Sequence, residues 1–443
     1  MQIKTLSLAL ILTCNIALAD REYTQIENMP DFNQTGSWIV MPYLFSTEMT
    51  GLAGGIGAIA QGLLQPQTTF VGTLFYGVGQ DVVNNGTADT INFSGGLFSY
   101  SNVKVPFTSR TYFSTWGYMM HIPKDTIYLN GTADSKEKDG LVTSGQDDYF
   151  SIILDYVLPL GEGVDNPDGT YTLKDGFAVG REEYGNGTPF VTGRSTIGIK
   201  TFYEHYEIEN WKGTAPWNSS GKAPSWDDSG LRFYLLHDNT DFDLNPSRGY
   251  SFQFQYSKDF GWGDSLQSWD DIEVKYSKYF NLETFSFTKQ NVLALNFWTA
   301  YSPSWDKSRE ILPEIDAHRP PPWEGPKLGG FIRMRGYTGS RFSDKAAIYG
   351  AAEYRAILDW NPFKTEKFLR ENTPVAIDWF QIVPFVEMGS VNDSYDFDLL
   401  SNLKFDAGIG IRAMAAELPV RLDIGVSDEG VNMWVMIHHP FDF

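Results

Sequence analysis

Cysteine is nearly missing from this sequence: of 443 residues only Cys14 is one, and it falls inside the amino-terminal apolar stretch. Beyond that position there is no thiol for a disulfide, a nucleophile or a cysteine-built zinc site, which suits a chain that crosses an oxidising compartment. Positive charge is also scarce. There are 34 Lys and Arg against 55 Asp and Glu, a net charge of -21, and so acidic a chain argues against nucleic acid as a partner. Outside the first twenty or so residues no apolar run approaches the roughly 20 residues of a membrane-spanning helix. Gly-x-Ser-x-Gly and His-Glu-x-x-His are both missing, and the six histidines form no local set with a serine and an acid. These absences point away from an enzyme and call for no cofactor.

What remains is aromatic and glycine-rich. Aromatics make up 15%, glycines number 42, and mean hydropathy is -0.27. The first residues read as an export leader over 1–19. Lys4 supplies the positive start, Leu6 to Ile16 the apolar stretch, and Ala17-Leu18-Ala19 the small-x-small cleavage site. Thr13 before Cys14 argues against a lipoprotein site. Lys4 is the one charged residue of this leader, so its removal takes the net charge from -21 to -22.

Period-two alternation recurs along the rest. Tyr250, Phe252, Phe254 and Tyr256 alternate with Ser251, Gln253, Gln255 and Ser257. Phe405, Ala407, Ile409 and Ile411 alternate with Asp406, Gly408, Gly410 and Arg412. Val420, Leu422, Ile424 and Val426 alternate with Arg421, Asp423, Gly425 and Ser427. Each is a strand with one apolar and one polar face. With an export leader and aromatic faces, the pattern predicts an all-β fold, a sixteen-stranded antiparallel transmembrane β-barrel. The predicted strands lie near 38–45, 51–61, 68–79, 89–100, 108–119, 147–158, 195–208, 229–238, 249–258, 268–280, 284–299, 344–358, 376–389, 401–413, 418–427 and 431–439. An even count puts both termini in the periplasm and the long connectors near 121–146, 210–228, 300–343 and 389–400 outside the cell. The segment 159–194 is too long for a simple periplasmic turn and predicts a small excursion or an extra hairpin. The expected organisation is a signal peptide at 1–19, a short periplasmic segment at 20–37 and one barrel domain at 38–443.

Other motifs carry less. The carboxylates of Asp238 to Asp243 lack the Gly and terminal Glu of a twelve-residue calcium loop and read as a polar periplasmic turn. His438 and His439 on one strand would point to opposite faces and could not share a metal. Gly54, Gly55 and Gly57 open no helix after a strand, so they are no dinucleotide fingerprint. Asp147-Asp148, Asp227-Asp228, Asp393, Asp396 and Asp398 could bridge cations to lipopolysaccharide, although such runs are more often simply solvated.

Three blocks resemble one family. Asp238-Asn239-Thr240-Asp241 through Asn245-Pro246-Ser247-Arg248-Gly249 is similar to a turn of the bacterial surface antigen superfamily, the barrel of outer-membrane insertases and two-partner-secretion transporters. Gly330 to Tyr337, with Arg335-Gly336-Tyr337 at its end, followed by Arg341-Phe342 and Glu353-Tyr354-Arg355, resembles the family's sixth outer loop and the strand after it. Pro384-Phe385-Val386-Glu387-Met388-Gly389 resembles its Phe-x-Asp-x-Gly strand, with Glu387 in the Asp position. The resemblance implies a sixth loop folded into the lumen, with Arg335 meeting Glu353 and Glu387. It implies a closing seam near the end of the chain, marked by Trp434, His438, Phe441 and Phe443. His438 stands where relatives carry a strand-kinking Gly, which predicts a more fully paired seam. Gly336 is expected to serve a tight loop tip through positive φ.

The function so implied is protein translocation, insertion or outer-membrane assembly. The chain has no polypeptide-transport-associated domains of its own ahead of the barrel, so it would act alone or with a separate periplasmic partner. The expected partners are outer-membrane lipid, lipopolysaccharide and a client polypeptide. The alternative is a passive porin-like or structural barrel.

Overall fold

The computed structural model describes residues 37–441 except 48–50, 66, 78–79, 85–86, 182, 216, 218–222, 263–266, 313, 373–376 and 416–417. The leader and the segment 20–36 lie outside the described residues, as does Phe443. Sixteen strands form one antiparallel sheet in which every strand pairs with its sequence neighbours. They are Ser37–Thr47 (β1), Gly51–Gln61 (β2), Thr69–Gly77 (β3), Ser94–Lys104 (β4), Thr111–Ile127 (β5), Leu141–Val157 (β6), Arg194–Trp211 (β7) and Ser225–Thr240 (β8). Then come Gly249–Asp259 (β9), Asp270–Leu282 (β10), Thr288–Tyr301 (β11), Ala346–Leu358 (β12), Ile377–Asn392 (β13), Lys404–Ala415 (β14), Leu418–Ser427 (β15) and Gly430–Ile437 (β16).

The alternation read from the sequence becomes an inversion of ordinary burial. On β9 Ser251, Gln253, Gln255 and Ser257 are buried while Phe254 is exposed. On β14 Asp406 and Arg412 are buried while Phe405, Ile409 and Ile411 are exposed. Polar side chains face inward and apolar ones outward, as a lipid-facing sheet requires.

The sheet curls until its ends approach. Val435 of β16 packs against a small cluster of Ala53 on β2 and Phe93. No hydrogen-bonded ladder joins β1 to β16 among the described residues.

Several expectations shift. The fourth strand starts at Ser94, because Gln80–Asn84 and Thr87–Ile91 pair as a separate hairpin. Much of 121–146 is strand rather than loop: β5 and β6 continue their pairing out to Ile127 and Leu141. The last strand stops at Ile437, and His438 takes φ 66. His438, expected to lie within a fully paired last strand, therefore lies just past it.

Connections alternate between two ends. The upper end carries 128–140, 212–224, the long loop 302–345 and 393–403. The lower end carries 158–193, the turn 241–248 and the connection after β12, which holds two short helices, Pro362–Thr365 and Lys367–Asn372. The first of these is capped by Asn361, whose side chain accepts from the Phe363 N–H. The excursion predicted near 159–194 contains a hairpin, Thr172–Lys174 with Phe177–Val179. Its tip is Asp175-Gly176 with φ of 53 and 76, the left-handed pair that Asp-Gly supplies in a two-residue turn.

Candidate functional site: a charge socket inside the sheet

The loop 302–345 leaves β11, folds back inside the curved sheet and brings Arg335 against four of its strands. Met334, fully buried, has φ 58, and that turn points Arg335 at the wall. Its backbone N–H donates to Glu387 Oε2 at 2.6 Å, and its Nε to Glu387 Oε1 at 3.2 Å. Nη1 donates to Asp423 Oδ2 at 2.7 Å, and Nη2 lies 2.9 Å from Glu353 Oε1. The guanidinium carbon is 3.5 Å from the centre of the Phe385 ring, so the flat cation stacks on an aromatic face while its edge is spent on carboxylates.

The socket holds more charges than these. Glu353 also takes Arg355 at 2.8 Å and Arg412 at 2.8 Å, and Asp423 also pairs with Arg421. Asp406 accepts from the Gly336 N–H at 2.9 Å, and the Tyr349 hydroxyl donates to Glu387. Four guanidinium groups thus meet three carboxylates, with Asp406 beside them on the Gly336 N–H, all buried. Burial of unmatched charge costs several kcal/mol per ion, roughly, and pairing on this scale is what makes the site tolerable.

The residues around Arg335 fix the loop by its backbone. Trp434 Nε1 donates to the Arg335 carbonyl at 2.8 Å, and Ser427 Oγ and Asn432 Nδ2 donate to the Gly336 carbonyl at 2.7 and 2.8 Å. Gly336 is needed for closeness rather than for φ. A Cβ there would fall 2.6 Å from Asp406 Cβ and 2.9 Å from the Val426 carbonyl carbon. That corrects the expectation of a positive-φ tip, since the left-handed residue is Met334. Tyr337 donates to Asp428 Oδ1 at 2.6 Å. Arg341 forks onto Glu429 at 2.7 and 2.6 Å and reaches Ser135 in the loop 128–140 at 2.7 Å.

The sequence motifs therefore converge: Arg335, Gly336, Tyr337, Glu353 and Glu387 meet in one place. Asp423, Asp406, Arg412 and Arg421 were missed as members. Alternation had already put all four on the polar faces of β14 and β15, and that was the signal available.

The turn motif is also brought together, but not as a solvated turn. Asp241 accepts from the N–H groups of Ser247 and Arg248 at 2.8 and 3.1 Å, and Asp238 from that of Thr240 at 2.9 Å. Burial raises the Asp241 carboxyl pKa, against the pull of those hydrogen bonds. Pro246 is buried. Asn245 accepts from Gln381 on β13 at 3.1 Å. Gly249 has φ 97, and a Cβ there would strike the Asn239 carbonyl oxygen at 2.0 Å. Phe242 and Leu244 point inward to Leu173, Ile357, Trp379 and Met414. The turn is therefore part of a packed lower floor.

The seam residues separate. Trp434 belongs to the socket. His438 is past the last strand, and Phe441 is fully buried with Tyr279 and Val292, on strands far from β16.

That geometry, an Arg-Gly-Tyr loop tip among carboxylates inside a sixteen-stranded sheet, stands beside a family match over most of the chain. The Omp85 superfamily domain matches residues 85–432. This chain belongs to the Omp85 superfamily. Its place is thus among outer-membrane β-barrels. Among solved structures, CdiB from Escherichia coli is similar over 91% of this chain and 62% of its own, at 11% identity and TM-score 0.51. CdiB from Acinetobacter baumannii is similar over 90% of this chain and 58% of its own, at 10% identity and TM-score 0.49. BamA from Haemophilus ducreyi lacking POTRA domains 1-3 is similar over 91% and 69%, at 12% identity and TM-score 0.46. At 11% identity the likeness to CdiB from Escherichia coli is one of fold alone. No curated protein matches the sequence significantly. Within this Omp85 member the socket is the most heavily charged buried cluster described above, and it joins the long loop to β12, β13, β14 and β15.

Proposed function

We propose that this Omp85 member is a closed sixteen-stranded barrel in the Gram-negative outer membrane that works in protein insertion or translocation. The observation that carries this reading is Arg335 in its three-carboxylate socket. A loop fixed so firmly within the wall makes the barrel a closed device rather than an open pore. Closure of the ring is supported by Val435 packing against Ala53 and Phe93. A leader at 1–19, a periplasmic segment at 20–37 and a barrel at 38–443 would set the lower end toward the periplasm. The 302–345 loop then becomes the sixth outer loop, hereafter loop 6. The apolar outer face would meet lipid, and the upper loops lipopolysaccharide. A client polypeptide, with or without a separate periplasmic partner, would come from below.

The role of Arg335 as a lock is tested by limited proteolysis of loop 6 in the unaltered protein and in Arg335→Ala. The expected result is a barrel that still migrates as folded on unheated gels but whose loop 6 is cut. Protease added to intact cells should cut within 210–228 and spare 361–374. Reconstituted in planar bilayers, the unaltered protein should conduct little. A steady, wide conductance would overturn the reading in favour of a passive porin.

A further inference from the structure

The lower end holds an arrangement that the socket does not use. The connection 158–193 leaves the wall between β6 and β7 and is tied down on that side. Lys104 of β4 binds Asp168 at 2.8 Å, and Arg194 of β7 donates to the Pro167 carbonyl at 2.7 Å. Its hairpin, Thr172–Val179, then reaches the other side. Trp379 Nε1 on β13 donates to the Gly176 carbonyl at 2.8 Å. Leu173 packs with Ile357 of β12 and Met414 of β14. Lys364, in the first short helix after β12, pairs with Asp175 at 2.9 Å. In a ring of sixteen, strands four to seven and twelve to fourteen face each other, so the hairpin crosses the mouth.

Two other segments fill what it leaves. Tyr171 donates to Asp243 of the turn 241–248 at 2.6 Å, and His439 lies 3.0 Å from the Asp243 carbonyl. The floor is thus the hairpin, the turn and the tail after β16, meeting at one residue.

The hairpin is the part built to move. It has three residue pairs, whereas each wall strand is paired along its length on one side or both. Gly169 and Gly180, with φ of 67 and 76, flank it, and among the described residues no atom lies within 4 Å of the position a Cβ would take on Gly180. Its tip is seated by fit: a Cβ on Gly176 would lie 2.7 Å from Trp379 Nε1 and 2.8 Å from Asp378 Cβ. A ladder of three pairs between glycine joints, held to the wall by one small cluster and a few polar contacts, is a unit that can open before the wall does.

We infer that residues 170–181 are an inner gate, a hairpin latch that closes the periplasmic mouth separately from loop 6 and swings out to admit a polypeptide. This rests on the closed ring and periplasmic lower end proposed above, and it adds a second barrier in series with the first.

Thr196 tests it. This lumen-facing residue of β7 is buried and lines a cavity of about 30 Å³ shared with Tyr171 and Arg181 of the excursion. In a Cys14→Ser background, Thr196→Cys would carry the only thiol, and its rate of modification by a bulky maleimide is measured on the folded protein. Gly176→Leu, which cannot seat at Trp379, should speed labelling about ten-fold or more, the range expected when a protecting segment opens. Trp379→Ala, which removes the seat and leaves the hairpin intact, should do the same and serves if the first variant fails to fold. Arg335→Ala should leave the rate unchanged. Unchanged labelling in both latch variants would overturn the inference, and so would equal acceleration by Arg335→Ala. Failure of the loop 6 lock itself is read elsewhere, in the proteolysis of loop 6.

Discussion

The socket and the floor are built by opposite chemistry on the same stretch of wall. Strands β12 to β14 carry Glu353, Glu387 and Arg412 toward the socket and Ile357, Trp379 and Met414 toward the floor. The socket is directional: its guanidinium groups meet particular carboxylate oxygens, and a missing partner strands a buried charge. The floor is mostly non-directional packing, in which a missing side chain costs area and leaves a cavity. A lock of the first kind holds one geometry. One of the second kind can loosen in part, as a gate that opens and recloses must.

The sharpest way to break the comparison is Arg335→Ala. Breaking a buried ion pair costs roughly 3–5 kcal/mol, here read as loop 6 proteolysis and a lower temperature for loss of the fast-migrating band on gels. Arg335→Lys should restore only part of it, because an ammonium cannot fork between Glu387 and Asp423 while lying flat on Phe385.

Trp379→Ala is next, at about 3 kcal/mol for a large buried aromatic. Hydrogen exchange should rise in 172–179 and stay unchanged in loop 6. Arg341→Ala should cost about 2 kcal/mol, in the range of hydrogen bonds to charged groups. It should raise exchange in 128–140, where Ser135 loses its partner. Glu162→Gln is the smallest, about 1–2 kcal/mol, because the amide still offers Arg181 an acceptor while the charge is lost. It weakens the 2.9 Å pair with Arg181, whose guanidinium also lies 3.8 Å from the Tyr184 ring centre. Burial, and then the Glu162 carboxylate, pushes the Tyr184 phenol up to about 12, so this substitution should move the Tyr184 titration downward without opening the floor. Conductance joins the two ends. Either Arg335→Ala or Gly176→Leu alone should leave it low, and the two together should raise it.

The socket was legible in the sequence and the floor was not, for a physical reason. Arg335, Glu353 and Glu387 stand in local motifs, and period-two alternation assigns each wall residue a face, so their meeting needs only the strand order. Asp423 escaped because which inward carboxylate lies nearest a loop tip depends on sheet curvature, which alternation does not carry. Leu173, Phe242 and Trp379 come from three distant segments with no shared period, and Phe242 stands in an Asp-rich stretch that reads as a polar turn. The strand count was readable for the same reason as the socket. The fourth strand's start was not, because Thr87–Ile91 leads straight toward it in sequence while pairing back on Gln80–Asn84.

The burial of Phe441 has a consequence for the order of assembly. The residue follows the last strand, yet it packs on Tyr279 and Val292, and Arg355 lies over its ring at 5.1 Å. Those partners sit on β10, β11 and β12. A wall that zipped shut first would leave this tail to find its way inside through a mouth already crowded by the turn 241–248. Gathering the tail while the first and last strands are still apart avoids that search. The final step would then bury the tail and join the edges together, and Phe441→Ala should delay the folded band more than it lowers its melting temperature.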